Sequence, residues 1–218
     1  MSGVRRLALL AAFSASPAVA ADLTTNPQAW GEADLSANIA PGWRVTALSV
    51  IRAGDGLPNP TLWGGGAIVD RQFGDLTISA GDLEVVVRSP VSGGRLDVNV
   101  PLAAFSYEWK IAGFLVSDRN RFEDLVGVPS NPWRYRNRLS AEHPVTGLGR
   151  VSSIFASEEV FYDFKTRQWE RSRAQVGVGV AAAPNADVRV YYLRQDERSS
   201  LPRAINGLGV TLALELTR

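Results

Sequence analysis

The 218-residue chain has no cysteine, one histidine (His143), one methionine and two lysines, Lys110 and Lys165. Without cysteine there is no disulfide frame, no thiol nucleophile and no Cys-ligated zinc. One histidine is too few for an imidazole-rich metal site or a histidine proton relay. The residues therefore imply no cofactor. An excess of one charge sign is missing too: the formal net charge is +1. That removes the electrostatic footprint of a nucleic-acid binder. Long apolar runs are also lacking beyond the first twenty residues. The longest uncharged stretch, 56–69, holds Pro58, Pro60 and four glycines, so no spanning helix fits.

What is present begins with an export signal. Arg5 and Arg6 precede an apolar stretch, Leu7 to Ala15, and a small-residue end, Ala18-Val19-Ala20. This is the order of a cleaved secretory signal peptide, 1–20, with cut sites after Ala20 or Ala21. Its removal leaves a single domain, 21–218, with a formal charge of −1. The slight positive balance belongs to the signal. Arginine dominates the basic residues, 21 against two lysines.

The remainder alternates with a period of two. Expected strands lie near 29–39, 43–53, 61–71, 76–88, 95–105, 109–122, 133–143, 150–163, 172–182, 187–197 and 204–217, separated by Gly, Pro, Asn and Asp. Three alternate cleanly. Leu208, Val210, Leu212, Leu214 and Leu216 oppose Gly207, Gly209, Thr211, Ala213 and Glu215. Ala174, Val176, Val178 and Val180 oppose Arg173, Gln175, Gly177 and Gly179. Leu96, Val98, Val100, Leu102 and Ala104 oppose Arg95, Asp97, Asn99 and Ala103. A uniform aliphatic face against Gly, Ala and isolated charges fits a lipid-facing wall around a polar lumen, rather than a soluble sandwich.

Short connections (40–42, 72–75, 106–108, 144–149, 183–186) alternate with longer ones (54–60, 89–94, 123–132, 164–171, 198–203). Trp43, Tyr107, Trp109, Trp133, Tyr162 and Trp169 fall near strand ends, where interfacial girdles belong. The expectation is a transmembrane antiparallel β-barrel, an up-and-down meander. Eleven strands can be counted, but single-chain bacterial barrels have even numbers, so ten or twelve are expected. Either 29–39 lies outside the wall or one strand is uncounted. In 76–88 the apolar face switches between Ala80 and Leu83, which suggests a bulge near Gly81-Asp82.

Parity gathers charge in the lumen. Arg134, Arg136, Arg138, Ser140 and Glu142 share one face, and Arg119 and Arg121 share another with Ser117. Arginines aimed at one interior require carboxylates, which their planar forks bind bidentately. Candidate partners are Glu123, Glu142, Glu159, Asp163, Asp97 and Glu215. The candidate lumen network is Arg119, Arg121, Arg134, Arg136, Arg138, Glu142, Glu159, Arg173 and Glu215. It reads as a structural plug, or more sharply as an anion-binding or phosphate-binding lumen.

Other motifs carry less. A barrel hydrolase acting on outer-leaflet lipid needs Ser, His and an acid together, but Ser140 and Glu142 point away from His143 by parity. Only one carboxylate of Glu158-Glu159 can face inward, by parity Glu159. Gly64-Gly65-Gly66 has no Lys or helix after it, so it reads as a strand kink or close packing rather than a phosphate loop. No catalytic residue is assigned.

The succession Phe114-Leu115-Val116-Ser117-Asp118-Arg119-Asn120-Arg121-Phe122-Glu123, Trp133-Arg134-Tyr135-Arg136-Asn137-Arg138-Leu139-Ser140-Ala141-Glu142, Ser157-Glu158-Glu159-Val160-Phe161-Tyr162 and Glu170-Arg171-Ser172-Arg173 resembles the domain-of-unknown-function family 2490. The resemblance covers most of 29–217 and implies an exported outer-membrane β-barrel of a Gram-negative bacterium. It implies contact with outer-membrane lipids and lipopolysaccharide, and with the barrel-insertion machinery during assembly. It brings no catalytic or ligand residue. One departure is the end, Leu216-Thr217-Arg218, where such barrels commonly carry an aromatic. The function expected is a structural or narrow small-solute channel, porin-like and not an enzyme. The alternatives are the lipid-modifying hydrolase and a soluble periplasmic β-protein.

Overall fold

The computed structural model describes residues 25–54, 60–88, 94–129, 132–198 and 203–216; the expected signal peptide and its cut sites lie outside them. Eleven strands follow in order: β1 (Thr25–Ala40), β2 (Trp43–Ala53), β3 (Pro60–Phe73), β4 (Leu76–Arg88), β5 (Arg95–Ile111), β6 (Phe114–Asp124), β7 (Trp133–Pro144), β8 (Val151–Asp163), β9 (Gln168–Ala183), β10 (Ala186–Glu197) and β11 (Ala204–Leu216). Each pairs antiparallel with its chain neighbours, and the sheet closes into a barrel.

The expectation of ten or twelve strands is corrected to eleven. β1 joins the wall and closes it against β11 in parallel, in a continuous register from Thr25↔Ala204 to Ala37↔Leu216. An even count is required only if every neighbouring pair is antiparallel. Parallel strands hydrogen-bond nearly as well, so one parallel seam permits an odd number.

The short rim is built from tight turns. Gly42 and Gly74 have positive φ, and Ala112 and Gly113 have φ of 50° and 84°. Two successive positive-φ residues match the twist of a hairpin. The turn expected at 106–108 is therefore misplaced: β5 runs through it to Ile111. An Ala-Gly turn is a weaker signal than Asn-Gly, which hides it in the sequence. The loop expected over 164–171 is shorter as well. Asp163 Oδ1 accepts from the Lys165 and Thr166 amides (2.7 and 2.9 Å), which folds the chain back so that β9 starts at Gln168.

The expected bulge at Gly81-Asp82 is absent; β4 pairs without a register shift on both sides. Its apolar face changes because the environment changes. Ile78 and Ala80 face outward in the short-rim half, whereas Leu83 borders the lumen nearer the long rim. β5 does the same, which corrects the facing expected for its aliphatic row. Phe105 and Tyr107 are exposed outside, while Val98, Val100, Leu102 and Ala104 are buried inside. Asp97 stays on the outer side with Arg95. β9 and β11 face as expected: Val176, Leu208 and Val210 are exposed, opposite lumen-lining Gln175, Thr211 and Ala213.

Glycine shapes the wall at two places. A Cβ at Gly64 or Gly66 would collide with the β4 backbone at Glu84 and Asp82, so β3 and β4 approach where a side chain cannot fit. Tyr191 is flanked in register by Gly177 and Gly209, and its ring lies over the space their side chains would occupy.

Candidate functional site: the charged lumen

Parity places one row of side chains from each strand in the lumen, and the long-rim half of that space is filled. Glu123 and Glu159, 1% and 3% exposed, are its two anionic centres. Glu123 accepts from Arg134 Nε (2.8 Å) and Nη2, from Arg136 Nη1 (2.7 Å) and from Arg121 Nη1 (3.4 Å). Glu159 accepts from Arg136 Nη2 (2.9 Å), Arg119 Nη2 (3.1 Å) and Arg173 Nη1 (3.2 Å). Arg136 thus bridges the two carboxylates. Arg173 extends the net by donating to Gln195 Oε1 (2.9 and 2.7 Å), and Gln195 donates to Glu197, the partner of Arg171.

Aromatic faces carry part of the surplus positive charge. The Arg136 guanidinium lies 4.7 Å from the Phe161 ring centre, with Arg134, Arg171 and Arg173 around the same ring. Trp30 takes Arg52 at 3.9 Å and Arg173 at 4.5 Å. Desolvated cation–π contacts contribute about 2 kcal/mol or more each. Trp30, Phe155, Tyr191, Leu193 and Ile205 form an apolar cluster beside the ions. Below this layer a cavity of about 680 Å³ is lined by Glu32, Asp34, Asp70, Asp187, several Ser and Thr residues, and the undersides of Arg119, Arg121 and Arg138. A second cavity, bordered by Asn38, Pro41, Trp43 and Gln72, lies at the short rim and shares Asp70, Thr77 and Glu108 with it.

Of the nine network residues expected, seven come together: Arg119, Arg121, Arg134, Arg136, Arg138, Glu159 and Arg173. Two do not. Glu142 lies lower and pairs with Arg189 (2.7 Å). Glu215 accepts from Asn38 Nδ2 (3.0 Å) near the short rim. Both are two or more inward positions from the plug along their strands. Among the suggested partners, Glu123 is central, whereas Asp163 caps a turn and Asp97 pairs outside with Arg95. Sequence reasoning missed Trp30, Arg52, Phe161, Arg171, Gln195 and Glu197. The available signal was parity: Phe161 follows Glu159 by two, and Trp30 precedes Glu32 by two.

Ser140 lines the lumen, while the His143 ring packs at a tilt against Phe114, centroids 4.8 Å apart, and contacts the Gly113 carbonyl at 3.0 Å. The two residues therefore do not share a site.

A closed barrel whose outer wall is apolar over β9, β11, β1 and β2, with ion pairs packed into the long-rim half of its interior, has an outer-membrane-type β-barrel fold. The chain belongs to the family described as Protein of unknown function (DUF2490), whose profile matches residues 27–206. No curated protein matches it in sequence. Among solved structures it is similar to a loop L8 deletion mutant of OmpT, an outer membrane protein of Vibrio cholerae. That match has 17% identity and a TM-score of 0.41, over 77% of this chain and 60% of the other. Outer-membrane expressed OmpT of Vibrio cholerae matches with 16% identity and a TM-score of 0.37, over 71% of this chain and 54% of the other. The chain thus spans a little over half the length of these structures.

Proposed function

We propose that the protein is an outer-membrane barrel that is closed at rest, a structural element with a narrow, solute-sized vestibule opening at its short-turn rim. The observation that carries this reading is the burial of Glu123 and Glu159 among five arginines across the lumen. A channel wide enough for steady flow needs hydrated walls. Here the long-rim half is instead packed with guanidiniums, carboxylates and aromatic rings. Placement in a membrane is supported by the outer wall, where Leu208, Val176, Ile51, Val210 and Leu216 stand exposed around a closed sheet. Closed β-barrels satisfy the backbone groups of their walls and are one of two ways a chain can cross lipid.

Planar-bilayer recording tests the closed state. The wild-type protein is expected to give no steady conductance. The double variant Glu123→Gln/Glu159→Gln, which removes both anionic centres, is expected to show opening events. A steady open conductance in the wild type overturns the reading.

A further inference from the structure

The β6–β7 register sets two pairs of like charges directly opposite each other, Arg119 against Arg138 and Arg121 against Arg136. Such pairs are destabilising unless counter-charge is supplied. The second pair has it from Glu123 and Glu159. The first is under-supplied. Arg119 shares Glu159 with two other arginines, and Arg138 donates to neutral partners, Gln175 Oε1 at 2.9 Å and Ser157 Oγ at 3.3 Å. Among the described residues Arg138 has no ion pair. Both guanidiniums border the 680 Å³ cavity. One inward position lower, the register aligns three hydroxyls side by side, Ser117↔Ser140↔Ser157. Arg121 adds a buried Nε without an acceptor.

We propose that Arg119 and Arg138, with Ser117 and Ser140, bind the phosphate group of a small zwitterionic solute. The inference rests on the closed-barrel reading, since the plug closes the inner end of the site. Two planar guanidinium forks and neighbouring hydroxyls present more donors than a carboxylate can use, and they suit a tetrahedral oxyanion. The preference for a zwitterion comes from the approach to the site. Asp34, Asp70, Glu108 and Asp187 line the same cavity, and among the described residues none of them is in an ion pair; the pairs in the lining are Glu142–Arg189 and, at the plug, those of Glu159 with Arg119, Arg136 and Arg173. A bare anion is repelled by these carboxylates, whereas an ammonium on the same solute is attracted to them as its phosphate reaches the arginines.

The test is calorimetric titration of the folded protein in phospholipid-free detergent with phosphoethanolamine, glycerol 3-phosphate and inorganic phosphate. Phosphoethanolamine is expected to bind saturably and about tenfold more tightly than glycerol 3-phosphate, a ratio equivalent to a difference of about 1.4 kcal/mol. Asp70→Asn/Asp187→Asn should narrow that ratio without abolishing binding. Arg138→Gln should abolish binding of every probe. If that variant fails to fold, Ser140→Ala should weaken binding several-fold instead. Repeating the titration in nanodiscs separates the two sources of this chemistry. A lipid headgroup as natural occupant predicts that soluble phosphoethanolamine is displaced in phosphatidylethanolamine discs but not in phosphatidylglycerol discs. A free solute predicts equal binding in both. No saturable binding, equal affinity for the two phosphate esters, or binding that survives Arg138→Gln overturns the proposal. Absence of binding in a barrel that stays non-conducting removes the site alone, whereas steady wild-type conductance removes the closed barrel beneath it.

Discussion

Glu159 and Arg194 show how little an ion pair means until its surroundings are specified. Arg194 meets Asp196 at 2.9 Å on the exposed outer side, and both side chains are nearly half exposed. Where such a pair meets water it contributes about 0–1 kcal/mol. Glu159 is buried, and its two oxygens serve Arg119, Arg136 and Arg173 at once. Removing its charge leaves the buried Arg173 and the half-buried Arg136 and Arg119 short of an anion, a defect of about 3–5 kcal/mol. Glu159→Gln is therefore expected to lower the unfolding midpoint in detergent sharply, and Arg194→Gln to leave it nearly unchanged. Equal effects of the two substitutions would show that the lumen is wetter than its packing indicates. Phe161→Ala should destabilise by a similar 3–5 kcal/mol. It removes a buried ring and, with it, the face shared by Arg134, Arg136, Arg171 and Arg173.

Strands were legible wherever the two faces differed in kind, and misleading wherever they differed only in degree. On β7 the row Arg134, Arg136, Arg138 has one physical destination, the lumen, and parity alone located it. On β5 the row Val98, Val100, Leu102 could pack against lipid or against a plugged interior, and alternation does not distinguish the two apolar environments. The same ambiguity made the change of phase along β4 look like a bulge. Turn chemistry hid the Ala112-Gly113 hairpin, because alanine at positive φ carries no signature. The strand count failed for a different reason: eleven were visible, and a rule of antiparallel parity displaced the count. The parallel seam has a direct test. Ala33 and Leu212 face each other in the β1–β11 register, and the chain has no native cysteine to compete. Ala33→Cys/Leu212→Cys should form an intramolecular disulfide on oxidation, seen as altered mobility on a non-reducing gel and lost on reduction. Neighbouring strands hold such residues within the 4.4–6.8 Å Cα range that a disulfide requires. A barrel of ten strands with β1 outside the wall would leave these thiols free.

For the molecule as a whole, two constraints converge on one location. The outer wall is apolar over β9, β11, β1 and β2, with Val176, Leu208, Val210, Leu35 and Ile51 exposed. Aromatic residues stand near both rims, Trp43, Tyr107 and Phe73 at the short one and Trp133 and Trp169 at the long one. A contiguous apolar surface of this extent on a closed sheet is an aggregation liability in water and the normal condition in lipid. The absence of cysteine and the arginine-rich interior then acquire a place. The barrel is held together by its closed hydrogen-bond ladder and by guanidinium forks in its interior, not by disulfides. The chain expressed in a Gram-negative host should accordingly fractionate with the outer membrane, resist extraction by salt or alkali, and begin at Ala21 or Asp22 by N-terminal mass spectrometry. Because its ladder has no open edge, it should migrate as a compact species on an unheated gel and shift to its full apparent mass only after boiling. Recovery in the soluble periplasm with heat-independent migration would mean that the apolar wall is covered by something other than lipid, and the membrane assignment would fall.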